Sequence, residues 1–356
     1  MPKTESSLIF IPDISGFTEF VNQTEISHSQ HIISELLELL IDTDELDMKV
    51  AEIEGDAVVF YKNSKIPPLK KLIDQAVTMF IRFHEHLRRY ESQRICECGA
   101  CSTAGKLSLK FITHQGPIGF TTIKNNIKPF GATMVMAHRL LKNDVPGHEY
   151  LLVSDTFFDQ DILEVKADAH LGSFRNGMST YGKLGKINYK YLPLSKLHNQ
   201  IKDPDPLPDS LRMRNPVFGE LTVHMSVQEA YQYLSDFELK KVWDKNIKDI
   251  RYDKEKINRA GTKHVCVLEH GAMKMETVRP TLKGEKLVFG EKTSSFPLVK
   301  EMVSYYILSS NGTFTNIRME IHYVLASFFG KLFEPIIRNR MEKMKQHFLT
   351  SFPKGK

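Results

Sequence analysis

Apolar positions recur along this chain with two periods, and the places where one period gives way to the other predict its elements. "SLIFIP" is a short apolar run of strand length. In "FTEFVNQTEISHSQHIISELLELLID" the apolar positions Ile32, Ile33, Leu36, Leu37, Leu39 and Leu40 follow helical spacing. "MKVAEIEGDAVVFYK" reads as two apolar strands joined at Glu54-Gly55-Asp56. "PPLKKLIDQAVTMFIRFHEHLRRYES" opens on prolines and continues as an amphipathic helix. "LSLKFITHQGPIGFTTI" predicts a second strand pair around Gly116-Pro117, and "GATMVMAHRLLKN" a short helix. "YLLVS" and "INYKYLPL" are later strands. The order predicts an α+β layer with helices on a largely antiparallel sheet.

The pattern breaks at "KDPDPLPDSLRMRNP", where Pro204, Pro206, Pro208 and Pro216 oppose regular helix and favour an extended linker. We therefore expect one domain over residues 1–200, a linker over 201–216 and a second domain over 217–356. After the linker comes a strand, "VFGELTVHM", then helix in "SVQEAYQYLSDFELKKVW" with Ser226 as N-cap. Strand-like runs follow from "IKDIRYD" to "FTNIRMEIHYVLA", and "FFGKLFEPIIRNRMEKMKQHFLTSF" closes the chain as a long helix. One strand, short helices, a run of antiparallel strands and a final helix describe a helix-grip fold. No repeat relates the two halves.

Composition narrows the function class. At 356 residues, 41% hydrophobic and 26% charged, this is the profile of an ordinary globular protein of two domains. A net charge of +5, set against 48 basic and 43 acidic side chains, does not point to nucleic acid, and no basic stripe interleaved with aromatics occurs. No apolar run approaches the ~20 residues of a membrane span, so integral membrane association is not expected. The opening "MPKTESSLIFIPD" lacks the basic start and apolar core of a secretion signal. Four cysteines, three of them crowded together, do not form a disulfide framework. Together these predict a cytoplasmic protein.

The crowded three, Cys96, Cys98 and Cys101 in "CECGAC", suit zinc or another soft metal. They supply three ligands where a structural site needs four. His84, His86, His114 and His138 are candidates for the fourth, and reduced thiols in a loop remain the alternative.

Two carboxylates carry the main chemical signal. Asp13 ends the first strand, before Ser15-Gly16, and Asp56 sits at the turn of the first hairpin. Strands one and three of a β-α-β-β unit tend to be neighbours, so the two acids can converge on Mg²⁺, which takes few protein ligands. The alternative is that Asp13 caps the next helix and Asp56 fills a turn.

The surrounding motifs resemble those of class III nucleotidyl cyclases. "FIPDISGFTEF" looks like the first metal motif and "EIEGDAVVF" like the second. "LKFITHQGPIGF" is similar to the hairpin "GIHTGPV", and "FGATMVMAHRLL" to the helix "WGDTVNVASRL". The resemblance runs from about residue 6 to 195, and more closely to an uncharacterised bacterial branch of the family. It implies a ferredoxin-like cyclase domain in which Asp13 and Asp56, with the carbonyl of Ile14, bind two Mg or Mn ions and a nucleoside triphosphate. It implies that Arg139 steadies the transferring phosphate and that Glu52 selects the base, favouring guanine over adenine. It also implies a homodimer, with Asp13 and Asp56 of one chain near Arg139 of the other. Three positions depart from the family. Val135 replaces the ribose-orienting asparagine, Ala132 replaces the base-contacting aspartate, and Tyr181 stands where the phosphate-contacting lysine is expected, with Lys183 two positions on. Removing one such transition-state donor costs about 2.7–4 kcal/mol, so a degenerate, binding-only site is the alternative to turnover.

"VHMSVQEAYQYLSDFELKKVWDKNIKDI" resembles the opening of the START-like, or SRPBCC, superfamily, which also contains the polyketide cyclases and the Bet v-like birch-pollen allergens. Trp243 sits where that superfamily often has a tryptophan. The resemblance implies a curved sheet gripping the last helix over a cavity for a lipid or hydrophobic small molecule. Trp243 and, on the last helix, Phe329, Phe333, Ile337, Met341, Met344 and Phe348 are its candidate lining residues; packing of the core is the alternative role for the helix residues. Two functions follow: a signalling protein whose hydrophobic ligand modulates a nucleotide site, or a non-enzymatic carrier whose first domain is a dimerisation scaffold.

Overall fold

The computed structural model describes residues 6–22, 26–93, 99–124, 126–157, 171–182, 185–204, 213, 215–254, 258–278, 287–326 and 332–355. Two compact units divide the chain: residues 1–91 with 99–204, and residues 205–356 with the short stretch 92–98. Both combine helices with a seven-stranded sheet, so the chain is a mixed α+β protein.

In the first unit the order is β1 (Ser6–Ser15), α1 (Phe17–Asn22), α2 (Ile26–Asp42), β2 (Lys49–Glu54), β3 (Ala57–Asn63), α3 (Leu69–Gln93), α4 (Gly99–Thr103), β4 (Ser108–Pro117), β5 (Gly119–Ile123), β6 (Asn126–Phe130), α5 (Ala132–Leu140), β7 (Tyr150–Ser154), β8 (Arg175–Thr180) and β9 (Lys186–Pro193). The sheet runs β2-β3-β1-β4-β7-β9-β8. Among these described strands only the β4–β7 pair is parallel. Leu8 to Ile11 on β1 are fully buried, as expected of a central strand covered on both faces. Ile9, Ile11 and Ile112 pack against Met134, Ala137 and Leu140 of α5. On α3, Leu72, Ala76, Met79, Phe80, Phe83 and Leu87 form a buried stripe at helical spacing.

The strand pair expected around Gly116-Pro117 does not form. β4 joins the main sheet, whereas β5 turns away and pairs with β6 in a separate hairpin. The cause is local. The hydroxyl of Thr133 donates to the Pro117 carbonyl at 2.6 Å, and Pro117 has no N–H to extend a ladder. A Cβ at Gly116 would lie 2.7 Å from the Thr133 hydroxyl, so only glycine admits α5 this close.

The second unit contains β10 (Val217–Val223), α6 (Val227–Ser235), α7 (Phe237–Trp243), β11 (Ile247–Arg251), β12 (Lys263–Leu268), β13 (Gly271–Val278), β14 (Leu287–Thr293), β15 (Val299–Asn311), β16 (Phe314–Leu325) and α8 (Glu334–Ser351). Its sheet is antiparallel throughout, in the order β10-β16-β15-β14-β13-β12-β11. Ser226 caps α6 as the sequence predicts, accepting from the Glu229 N–H. Asp236 caps α7, accepting from the N–H groups of Glu238 and Leu239. α8 starts later than its apolar pattern predicts, because a proline at its first turn fixes the start. It buries Ile337, Met341 and Phe348 against the sheet. Among the described residues no helix is long and apolar enough to cross a membrane.

Candidate functional site

The register of β1 decides where its carboxylate sits. Asp13 lies opposite Ala57 of β3 on one side and Lys110 of β4 on the other. By strand alternation it shares a face with Ile9 and Ile11. The β2–β3 connection is a tight turn in which Gly55 takes the left-handed conformation (φ 62°), open to glycine at little cost. The turn is tied to β1 by the Ile14 N–H, which donates to the Asp56 carbonyl at 3.0 Å. A strand end and a hairpin turn thus bring Asp13 close enough for its charge to raise the proton affinity of Asp56.

Lys110, opposite Asp13, reaches its carboxylate at 2.9 Å. Burial raises the Asp13 pKa, and the lysine only partly offsets it. Burial, then the Asp13 charge, pushes Asp56 up to about 6. Burial opposes the charge on Lys110, yet Asp13 and Asp56 outweigh it and its pKa rises. Burial is the larger cause for both carboxylates, and beyond it two carboxylates face one ammonium. Oxygen donors with surplus negative charge fit a hard divalent cation. Ile14 is buried beside them.

Glu52 is on β2, where Lys128 of β6 meets it at 3.1 Å and His138 of α5 at 3.6 Å. His138 also approaches Glu54 at 3.1 Å. Arg139, next on α5, faces solvent, and no contact joins it to Asp13 or Asp56 among the described residues of the chain. Val135, one turn earlier, is 52% exposed. Lys183, Cys96, Cys98 and Phe329 lie outside the described residues; Cys101 falls in α4, with its side chain likewise outside them. His114 is buried and bonded to the Ser154 hydroxyl at 2.8 Å, a structural role.

In the second unit a cavity of about 260 Å³ opens between α7, α8 and the sheet. Trp243 and Met344 line it, together with Phe348, Met302 and Met319. Ile337 and Met341 instead pack in the closed core, and Phe333 stands at the N-cap of α8, 44% exposed. The difference follows from helix geometry: Met344 and Phe348 lie nearer the end that faces α7, whereas Phe333 precedes the first turn. The cavity wall carries a buried ion pair. Lys240 of α7 is bonded to Glu291 of β14, and His264 meets the other Glu291 oxygen at 3.1 Å. Burial opposes the Glu291 charge, but Lys240 and His264 outweigh it and bring its pKa down to about 2. Burial pushes the neighbouring Cys266 thiol up to about 12, leaving it a protonated, inert wall residue.

Lys110, Lys240, Glu291 and His264 carry no motif. Lys110 could have been found by placing the Asp13 strand beside its neighbour, since cross-strand partners are set by register.

The family described as a protein of unknown function (DUF2652) matches residues 33–150. An uncharacterized protein of Mycobacterium tuberculosis, Rv2561/Rv2562, is 32% identical over 126 residues, which cover 35% of this chain and 57% of that protein. The chain thus spans a little over half the length of this relative. Among solved structures, the guanylate cyclase domain of RhGC from Catenaria anguillulae in complex with GTP is 16% identical, covering 53% of this chain and 96% of that one, with a TM-score of 0.37. The adenylyl cyclase CyaB from P. aeruginosa is 15% identical over 53% of this chain and 94% of its own, with a TM-score of 0.38. TTHA0849 from Thermus thermophilus is 16% identical over 39% of this chain and 94% of its own, with a TM-score of 0.30.

Proposed function

We propose that residues 1–200 form a divergent domain of the class III nucleotidyl-cyclase type that binds a divalent cation and a nucleoside triphosphate. The observation that carries this reading is the convergence of Asp13 and Asp56 with a deficit of positive charge. The motifs around them support it. The two carboxylates, with the Ile14 carbonyl, would hold Mg²⁺ or Mn²⁺, which would neutralise charge on the phosphates. Lys110 orients Asp13 by its ion pair. Glu52 would read the base edge once Lys128 and His138 release it, and a carboxylate there favours guanine.

A dimer is part of the reading. Ile127 and Phe130 on the β5–β6 hairpin and Val135 on α5 are 67%, 69% and 52% exposed. Apolar exposure on adjoining elements is what a second copy would cover. It would also bring Arg139 of one chain to the carboxylates of the other.

Residues 217–356 would form a START-like domain taking a hydrophobic ligand in the Trp243–Met344 cavity, and its occupancy would modulate the nucleotide site. One observation favours a second reading, a carrier without catalysis: the departures at Ala132, Val135 and Tyr181 remove groups that the family's reaction uses, whereas the second unit holds a cavity of about 260 Å³.

The test incubates the purified chain with ATP or GTP and Mn²⁺ or Mg²⁺, and reads cyclic nucleotide and pyrophosphate by mass spectrometry. The Asp13→Ala, Asp56→Ala double variant is the control. Metal-dependent nucleotide binding lost in that variant supports the nucleotide-site reading, and product lost with it supports turnover. Absence of binding and product, with a solvent-extractable lipid copurifying, supports the carrier.

A further inference from the structure

Away from the Asp13–Asp56 pair, the first unit gathers a second set of donors. His84 lies on the buried side of α3, one turn after Phe80, whose ring it meets at a centroid distance of 4.3 Å. Glu149 immediately precedes β7, and its carbonyl accepts from the Leu194 N–H at 3.0 Å. His198 stands on a short 3₁₀ helix, Ser195–Gln200, anchored by buried Leu197. A helix, a strand start and a 3₁₀ turn therefore fix three donors from three segments.

Their donor atoms all lie within 4.8 Å of one another. His198 Nε2 is 2.7 Å from Glu149 Oε1, and His84 Nε2 is 3.7 Å from the same oxygen. Donors on a tetrahedral zinc with bonds near 2.0–2.2 Å stand about 3.4 Å apart, so small side-chain adjustments close the set. We propose that His84, Glu149 and His198 form a site for a divalent transition metal, zinc foremost, held by two imidazole nitrogens and one carboxylate oxygen with the remaining coordination open to solvent.

Hydrogen bonding alone leaves this cluster incomplete. A proton between His198 and Glu149 satisfies those two. His84 is only 6% exposed, and its Nε2 is buried with no hydrogen-bond partner while aimed at the same carboxylate oxygen. A neutral imidazole carries one ring lone pair, and metal binding uses that form. A cation between the rings would use that lone pair. Arg88, the nearby charge that opposes a cation, is paired with Asp203. Outer contacts are in place: the Ser108 hydroxyl donates to Glu149 Oε1 at 2.8 Å and orients the carboxylate. The Phe80 ring lies edge-on to His198 at 5.5 Å and walls the apolar side. The side chains of Glu149 and His198 are 20% and 43% exposed, which leaves an entry path. Two imidazoles with one carboxylate select zinc, iron(II) or cobalt over magnesium, so this site is chemically distinct from the all-oxygen pair at Asp13 and Asp56.

The test uses the full chain carrying C96S, C98S and C101S, which removes competing thiolates, in buffer with excess Mg²⁺ to occupy oxygen-only sites. Co²⁺ and Zn²⁺ are titrated after chelator treatment, with bound metal counted by mass spectrometry. We expect one equivalent of Co²⁺ with visible d–d absorption and no thiolate charge-transfer band. Zinc should shift the ¹⁵N resonances of the His84 and His198 rings. His198→Ala and Glu149→Gln, at positions open to solvent, should each weaken binding by about 100-fold or more, since disturbing an outer partner alone costs 10–100-fold. No metal uptake by this triple variant would overturn the site. So would uptake that His198→Ala and Glu149→Gln leave unchanged while circular dichroism reports folded protein.

Discussion

Each unit buries a small charged cluster, and the two are balanced in opposite ways. In the first, Asp13 and Asp56 share one ammonium, Lys110; burial and the Asp13 charge prevail and Asp56 rises to about 6. In the second, Glu291 is met by Lys240 and by His264, and pairing prevails over burial so that its pKa falls to about 2. A cluster whose charges close is part of the framework and shapes the cavity beside it. A cluster left one positive charge short is the one that the proposed divalent cation would complete. The sign of the balance, more than the number of charges, separates structure from binding site.

The largest effect that can break this contrast is at Glu291. Glu291→Ala leaves Lys240 buried without a partner and should cost about 3–5 kcal/mol in urea unfolding. Adding Lys240→Met should recover most of that loss; a double variant no better than the single one would mean that the pair does more than neutralise itself.

Next comes the helix that faces the cavity. Met341→Ala opens a hole in a closed core and should cost about 2–5 kcal/mol. Met344→Ala borders existing space and should cost clearly less, while weakening displacement of a fluorescent apolar probe. Equal costs would place both residues in the core.

Asp56→Asn should act in the opposite direction to Glu291→Ala. It removes a strained charge and should stabilise the metal-free protein at neutral pH, by less than about 1 kcal/mol because half-exposed charges are screened. The same change should abolish Mn²⁺ binding measured by calorimetry.

The pH dependences sharpen the contrast further. Asp56 in the folded chain binds its proton more tightly than in the unfolded chain, where its value is the ordinary 3.8. Its contribution to stability is therefore lost as pH rises from 3.8 through 6, and the advantage of Asp56→Asn over the native chain should grow across that window. Glu291 runs the other way: its contribution is present above 4.5 and fades as pH falls toward 2. The advantage of the native chain over Glu291→Gln should shrink in acid, read by chemical denaturation at stepped pH.

Much of the architecture is legible in the sequence. Strand and helix periods mark β1, α3, α5, the β10–β16 strands and α8, because alternation and 3.6-residue spacing are local consequences of which face is buried. The departure of β5 from β4 is not legible: Gly116-Pro117 has the composition of a hairpin turn, while the decisive contact comes from Thr133, beyond the next hairpin. Asp13 and Asp56 are legible as a pair from a strand end and a turn. Trp243 and Met344 separate from Ile337, Met341 and Phe333 only once the angle of α8 and its N-cap are set.

The residues His84, Glu149 and His198 mark the boundary clearly. Each is ordinary in its own segment, and nothing local distinguishes His84 from any other buried helix histidine. The sequence by itself determined most of the elements and the positions of the carboxylates at β1 and at the β2–β3 turn, since these depend on spacing along a few residues. Only the tertiary structure decided which charges meet, that Lys110 faces Asp13, that Lys240 closes on Glu291, and that two distant histidines meet one Glu149 oxygen. Charge balance and metal geometry are properties of distances through space, and chain order carries those distances only after the strands and helices have packed.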